Sequence, residues 1–268
     1  MLRQARGGCG IRWWIGGLVV VACWCGAVAP GWAVGLDGLS ADEARVLDGA
    51  LATLQPLIDQ RKVDGTVNRL SFDELYALVN TEQRAFLDAI HAVEPSALNG
   101  SSRRLPEVPT DLALERIGGQ VVHPPDGEPK PLDDQYLPID VHAAYRAMMV
   151  AMQRDLGRAL LVEPGHRSPA YQLYLFCFYL PKHDYSIRET NRFVALPGCS
   201  EHGCPARQAI DFINEQGING EDHPEEFEAL PEYAWLTQHA RDYGFALSYP
   251  RGDPSGTSFE PWHWHYER

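Results

Sequence analysis

The stretch from residue 259 to residue 267 reads FEPWHWHYE and concentrates carboxylate, imidazole and indole side chains in a few positions. On a regular strand, His263 and His265 point to the same face, and this H-x-H spacing is typical of metal ligands. Glu260 would point to the opposite face unless the chain bends at Pro261, which cannot donate a ladder hydrogen bond. Two interpretations stay open: an aromatic edge strand that contains histidines, or half of a metal site.

Further candidates for metal binding and acid–base chemistry lie in two earlier segments. His202 and Asp211 belong to SEHGCPARQAIDF, and Arg167 follows a predicted strand in GHRSPAYQ. A catalytic zinc ion takes three His, Asp or Glu ligands and keeps a position for water, and a nearby carboxylate must accept that water's proton. The sequence has no H-E-x-x-H motif, so such ligands would have to come from separate elements. Each residue also has an ordinary structural interpretation, as a buried histidine, a cap or an ion-paired arginine.

The elements that would position these residues alternate between helix and strand without regular βαβ spacing. Helices are predicted from Asp140 to about Leu156, ended by Gly157, and over SPAYQLYLFCFYL and PEYAWLTQHARDYGF. Short strands are predicted at RALLVEPG, AIDF, FALSYP and the closing FEPWHWHYE. This pattern favours an α+β fold with a small antiparallel sheet flanked by helices.

Residues 34–94 are predicted to form a helical N-terminal element. Capping boxes at Ser40-Ala-Asp-Glu43 and Ser71-Phe-Asp-Glu74 precede apolar residues at helical spacing. They predict two helices, or three if Asn80 interrupts the second, and a packing or spacer module is the ordinary interpretation. Residues 95–138 carry eight prolines, so 95–136 is predicted to be a partly extended surface linker before the domain at 137–268.

The first 33 residues have the pattern of an export signal. Arginines at positions 3, 6 and 12 precede the apolar run WWIGGLVVVACWCGAVA, and cleavage is predicted after Ala33. An uncleaved anchor and a lipoprotein modified at Cys23 are alternatives, so membrane attachment is expected only through this segment. The protein is therefore expected outside the cytoplasm, in the periplasm or cell envelope.

The charge balance argues against two classes of partner. The whole chain has a net charge of −13, and the first 33 residues carry three arginines and no acids. The mature chain would therefore have 20 basic and 36 acidic residues, a net charge of −16. Nucleic acid and anionic membrane surfaces both require a positive protein face, so neither is expected as a partner.

Three cysteines would remain after cleavage. Cys199 and Cys204 bracket a short loop, and export permits a disulfide between them. Cys177 would then be a buried thiol.

Three separated motifs, in order, resemble the zinc D-alanyl-D-alanine carboxypeptidase family, the vancomycin-resistance-type D,D-carboxypeptidases. That family shares its fold with D,D-dipeptidases and the hedgehog signalling domain, and shows the patterns G-Y-R-S-x-x-x-Q, S-x-H-x-x-G-x-A-x-D and E-P-W-H. The corresponding residues are Gly165-His-Arg-Ser168 with Gln172, Ser200-Glu-His202 with Ala209-Ile-Asp211, and Glu260-Pro-Trp-His263. The resemblance covers about residues 137–268.

The resemblance implies a zinc site with a general base and a positively charged side chain beside it. It implies His202, Asp211 and His263 as zinc ligands, which leaves His265 as a neighbour and not a ligand. It implies Glu260 as general base and Arg167 as the cation that meets the substrate carbonyl.

The same resemblance implies a reaction. A metal-bound water would hydrolyse the terminal D-Ala-D-Ala bond of peptidoglycan stem peptides, with Gln172 and Ser200 near the substrate. The alternatives are a peptidoglycan endopeptidase or D,D-dipeptidase with the same site, and a non-catalytic zinc-containing wall-binding module.

Two departures from the family pattern lie close to these residues. His202 and Asp211 are nine positions apart, whereas the family pattern makes them seven apart, and Arg207 stands where the family has glycine. His166 replaces the tyrosine of the arginine turn. The two inserted residues would either bulge out as a loop or reshape the pocket.

Overall fold

Helices and short strands alternate along the described part of the chain. The computed structural model describes residues 32–98, 103–106, 112–253 and 258–267. The helices are α1 (Ala41–Val63), α2 (Phe72–Leu78), α3 (Thr81–His91), α4 (Ile139–Leu156), α5 (Pro169–Tyr179), α6 (Ile187–Thr190), α7 (Pro224–Glu228) and α8 (Pro231–His239). The strands are β1 (Leu114–Ile117), β2 (Val121–Val122), β3 (Lys130–Pro131), β4 (Gln135–Pro138), β5 (Leu160–Val162), β6 (Ala209–Asn214), β7 (Phe245–Leu247) and β8 (His263–Tyr266).

The main sheet has four strands in the order β5-β6-β8-β7, and every neighbouring pair is antiparallel. Its core contains residues of α4 and α8, including Met148, Met152 and Trp235, packed with Phe212 and Trp264 of the sheet. The glycine predicted to end α4, Gly157, does so in the left-handed conformation that suits a residue without a side chain. The predicted α+β class, a small antiparallel sheet flanked by helices, is confirmed.

The N-terminal element contains three helices. The side chains of Ser40, Ser71 and Asn80 each accept a hydrogen bond from a first-turn amide in a capping box. The break at Asn80 therefore occurs, as one of the two sequence alternatives proposed.

These helices share one hydrophobic core with α5. Leu47 and Ile58 of α1 and Phe86 of α3 lie in the same buried cluster as Leu173 and Phe176. The N-terminal element is thus packed against the helix that begins at the GHRS turn.

The segment 95–136 differs from the predicted linker because much of it is folded. β1 pairs with β4 and β2 with β3, both antiparallel. Gln120 bridges to β5, where its amide group bonds both the N–H and the carbonyl of Val162. Pro131 and Pro138 stand at strand ends, where a missing N–H costs little, so the proline content hid these short strands.

The predicted signal segment, residues 1–33, lies outside the described residues apart from its last two positions. Within the described residues, no helix combines the length and the hydropathy needed to cross a bilayer.

Candidate metal centre and active site

Three side chains with metal-binding atoms converge at one edge of the main sheet. Asp211 on β6 and His263, the first residue of β8, are register partners. His202 lies in a short 3-10 turn, Glu201–Gly203, which precedes β6. One ligand atom from each residue can be chosen such that all three lie within 4.8 Å of one another.

The orientation of these side chains suits a shared cation. Asp211 places Oδ1 2.7 Å from Nδ1 of His263 and Oδ2 3.3 Å from Nε2 of His202. Nδ1 of His202 lies 2.8 Å from the carbonyl oxygen of Gly165, so this nitrogen carries the proton and Nε2 is free to bind. Two imidazole nitrogens and one carboxylate oxygen are the donors of a catalytic zinc site with one open position.

Glu260 reaches the same centre because the chain turns before β8. Residues 261 and 262 form a turn, in which the His263 N–H donates to the Glu260 carbonyl at 3.2 Å. This turn brings Oε2 of Glu260 within 3.9 Å of Nδ1 of His263. The bend that the sequence required at Pro261 is therefore present.

Burial dominates the electrostatics of Glu260. Removal from water raises the pKa of its carboxyl to about 7, and the negative charges of Asp211 and Glu221 add to this, while His263 opposes it. A carboxyl group poised near neutral pH matches what a general base requires.

His263 has the opposite environment. Burial acts to lower its pKa, but the carboxylates of Asp211 and Glu201 outweigh burial and raise the pKa to about 10. In the metal-free protein the imidazole is therefore protonated at neutral pH, and binding of a cation at Nδ1 requires loss of that proton.

Glu201, which was not among the predicted site residues, lies behind His263. Its Oε2 is 3.2 Å from Nε2 of His263 and accepts a 2.5 Å hydrogen bond from the Ser248 hydroxyl. Its Oε1 accepts two hydrogen bonds from the guanidinium of Arg207 at 2.7 and 2.9 Å. The only sequence signal was its place beside His202, so its contact with a distant strand could not be read from spacing.

His265 lies outside the cluster of three metal-binding side chains. Its Nδ1 lies 2.8 Å from the Ser248 hydroxyl, and its Nε2 lies 3.4 Å from a carboxylate oxygen of Glu267. The side chain is buried behind the centre, on the side of Glu201.

Arg167 is held from two directions. Its backbone N–H donates to the His202 carbonyl at 3.0 Å, and its Nη1 donates to Oε1 of Gln172 at 2.9 Å. Gln172 is 1% exposed and donates its own amide to the Ala195 carbonyl, so it lies behind Arg167 and orients it. Burial lowers the pKa of Arg167 from its ordinary value.

A cavity of about 760 Å³ opens over this centre. Its lining includes Arg167, Ser200, Asp211, Glu260 and His263. Ser200 is half-buried and lines the cavity, whereas Gln172 is not part of the lining.

The comparison with known protein families agrees with this geometry. The profile of the VanY family, D-alanyl-D-alanine carboxypeptidases, matches residues 134–268, about half of the chain. The chain belongs to the VanY family.

Three individual relatives have sequence identities of 21% to 29% with this chain. VanXYC of Enterococcus gallinarum, a bifunctional D-Ala-D-Ala dipeptidase and D-Ala-D-Ala carboxypeptidase, is 29% identical over 147 residues, 48% of this chain and 70% of that protein. The putative carboxypeptidase YodJ of Bacillus subtilis (strain 168) is 26% identical over 216 residues, 78% of this chain and 65% of that protein. A solved Zn(II) complex of a mutant VanY D,D-pentapeptidase from a VanB-type vancomycin-resistance cassette is 21% identical, has a TM-score of 0.43, and covers 63% of this chain and 86% of that chain.

The insertion that departs from the VanY pattern has a defined place in the structure. It forms a second 3-10 turn, Pro205–Arg207, between His202 and β6. Arg207, at the position of the family's glycine, uses this turn to reach Glu201. The replacement of this glycine therefore adds a cation behind Glu201, and the inserted residues are part of an ordered turn.

The predicted disulfide and the replacement at His166 concern residues near this insertion. Cys199 and Cys204 are both free thiols, so the predicted disulfide is wrong. Cys199 packs against the N-terminal core, and Cys204 is buried between the two 3-10 turns. His166 is buried, with Nδ1 3.2 Å from Oε1 of Gln208, and burial lowers its pKa to about 4.

Proposed function

We propose that the protein is a zinc metallopeptidase that hydrolyses the terminal D-Ala-D-Ala bond of peptidoglycan stem peptides. The observation that carries this proposal is the convergence of His202, Asp211 and His263 beside Glu260 in a cavity of a VanY-family chain. The predicted export signal would deliver the enzyme to the cell envelope, where its substrate lies.

The three converging side chains would hold zinc. Their donor set fits the ion, and Glu201 and the Gly165 carbonyl orient the two imidazoles from outside, as supporting groups do in metal sites. When bound, zinc would lower the pKa of a coordinated water toward neutrality and polarise the scissile carbonyl.

Glu260 and Arg167 would carry out the remaining chemistry. Glu260 would accept the proton of the attacking water and pass it to the amine of the departing D-alanine, which requires an ionised carboxylate before attack. Arg167, fixed by Gln172, would place a positive charge at the carbonyl oxygen as negative charge develops there.

The size of the cavity favours a peptide over a free dipeptide. Its volume of about 760 Å³ lies in the upper half of the range for small-molecule pockets, which is more than two alanines fill. The dipeptidase alternative is tested as well, because one relative, VanXYC, is named as both a D-Ala-D-Ala dipeptidase and a D-Ala-D-Ala carboxypeptidase. A non-catalytic zinc-containing binding module would not require a general base at Glu260.

Product analysis distinguishes these functions. Zinc-loaded protein is incubated separately with a stem pentapeptide, the tetrapeptide that lacks the last D-alanine, and free D-Ala-D-Ala. The proposal expects one D-alanine and the tetrapeptide from the pentapeptide, and at least tenfold lower kcat/KM on the dipeptide. Internal cleavage of the tetrapeptide would establish an endopeptidase instead, and turnover of the dipeptide alone would establish a dipeptidase.

A further inference from the structure

The N-terminal helical element, which precedes the VanY match, supplies part of the wall of the active-site cavity. Lys62, Val67 and Asn68 come from the end of α1 and the turn that follows it. Arg103 and Leu105 come from the short described segment 103–106. The cavity is therefore built by two parts of the chain, and one of them lies outside the family domain.

The first of these wall segments is tied directly to the turn that carries Arg167. The Asn68 carbonyl accepts a hydrogen bond from the Ser168 N–H at 2.9 Å. The Asn68 side chain is buried and donates to Oε1 of Gln135, which also accepts from the Gly165 N–H. The turn that follows Lys62 is thus bonded directly to the segment that carries Arg167.

The second wall segment, residues 103–106, forms hydrogen bonds through Arg104 and Leu105. Arg104 donates to the carbonyls of His91 and Val93, at 2.9 and 3.1 Å, and so satisfies the end of α3. The Leu105 N–H donates to the Gly198 carbonyl at 2.9 Å. These bonds hold Arg103 beside the loop that leads into Ser200.

The two cations in this wall have no acidic partner among the described residues. Lys62 and Arg103 are exposed and form no ion pair with a described carboxylate. Two other cations of the lining are paired, Arg192 with Glu189 and Arg207 with Glu201. In a chain with a net charge of −13, these two cavity-lining cations would attract a ligand that supplies the opposite charge.

The chemistry of the proposed substrate indicates which part of it would meet these cations. Only one residue follows the scissile bond of the proposed substrate, whereas the rest of the peptide precedes it. The acyl portion must therefore fill most of a cavity of this size. Asp133, Glu163 and Glu221 also line the cavity and repel anions, so a substrate carboxylate is most stable against Lys62 and Arg103.

We propose that Lys62 and Arg103 form an anion subsite for a carboxylate on the acyl side of the D-Ala-D-Ala bond. The matching group in a stem peptide is the free α-carboxylate of the γ-linked D-glutamyl residue. The subsite makes the enzyme selective for acidic stems over amidated ones. This inference rests on the proposed function, because it identifies the cavity's ligand as a stem peptide.

The test compares two pentapeptides, L-Ala-γ-D-Glu-L-Lys-D-Ala-D-Ala with a free glutamyl carboxylate and the same peptide with that carboxylate amidated. The double variant Lys62→Gln/Arg103→Gln is measured beside the wild type. Arg146→Gln, an exposed arginine of α4 outside the cavity lining, is the control for loss of positive charge. Because two solvent-screened charges are removed, the expected KM increase is about 5- to 20-fold.

The subsite predicts that this increase appears only for the acidic peptide, with kcat changed less than twofold and no effect in Arg146→Gln. Equal KM changes for both peptides, or no change for either, would overturn it. Titration calorimetry with the zinc-loaded Glu260→Gln protein measures binding of the same peptides without turnover. It tests the subsite even if the wild type cleaves another bond, and equal affinity for the acidic and amidated peptides there would also overturn the proposal.

Discussion

The centre of the site is a histidine held between two carboxylates. Asp211 lies at Nδ1 of His263 and Glu201 lies at Nε2, while His265 is occupied by Ser248. This arrangement gives the two histidines of the H-x-H motif different neighbours, although their side chains share one face of β8.

Zinc content should follow this separation. His202→Ala and His263→Ala each remove a ligand nitrogen, so purified protein is expected to contain less than about 0.1 zinc per chain. His265→Ala leaves the three ligand atoms in place and is expected to keep close to one zinc. Metal analysis after gel filtration checks this, and zinc loss in the His265 variant would restore the H-x-H pair as ligands.

Glu201 should affect zinc affinity without being a ligand. Glu201→Gln keeps the shape of the side chain but weakens its electrostatic hold on Nε2 of His263, and loss of such supporting groups typically costs about 10- to 100-fold in metal affinity. Competition with a chromogenic chelator measures the change. Glu189→Gln, on the surface at α6, is the matched control and should bind zinc as the wild type does.

The raised pKa of Glu260 should appear in the stability of the metal-free protein. Because the folded pKa of about 7 exceeds the ordinary value of 4.5, folding favours the protonated form. The stability from this group is fully present below about pH 4.5 and is lost as the pH rises through 7.

Glu260→Gln should therefore stabilise the metal-free protein at pH 8, by on the order of 2 kcal/mol, and change little at pH 4.5. Urea unfolding of chelator-treated wild type and variant at the two pH values measures the difference. A variant that is equally destabilised at both pH values would show that Glu260 is not held in an unfavourable charged state.

Among the elements, the N-terminal helices contribute more than a spacer would. They complete the core on α5, and Asn68 holds the amide of Ser168 next to Arg167. A chain restricted to residues 107–268 would expose Leu173 and Phe176, both fully buried in the intact protein.

We therefore expect the 107–268 fragment to lack a cooperative fold, even though it contains the whole VanY match. Its expected signature is a weak near-UV circular dichroism spectrum and a non-cooperative urea transition, because α5 would lose one side of its core. The full chain without residues 1–33 is the control. A cooperative transition in the fragment would show that the N-terminal element is a separate module.

For the molecule as a whole, local sequence patterns predicted where helices begin and end better than they predicted which helices and strands contact one another. The caps at Ser40 and Ser71 and the stop at Gly157 depend on neighbouring residues, so they were readable. β1 to β4 are two to four residues long and lie in a proline-rich segment, which made them resemble a linker.

The candidate site was predictable only where motifs carried it. The order of the GHRS, SEH…AID and EPWH motifs identified the converging residues through family resemblance. The placement of Glu201 and the contribution of Lys62 and Arg103 to the cavity depend on contacts between distant elements. No spacing rule in a single sequence encodes such contacts, and the free thiols of Cys199 and Cys204 were misjudged for the same reason.

The most direct test of the account is D-alanine release from a stem pentapeptide by zinc-loaded wild type and Glu260→Gln, with zinc content measured on both. The account predicts steady release by the wild type, and a variant that keeps its zinc but loses about 10²- to 10⁴-fold in kcat, because a positioned base is removed. A zinc-loaded variant that releases D-alanine at the wild-type rate would contradict the assignment of Glu260 as the base. Absence of release by a fully zinc-loaded wild type would contradict the proposed reaction itself.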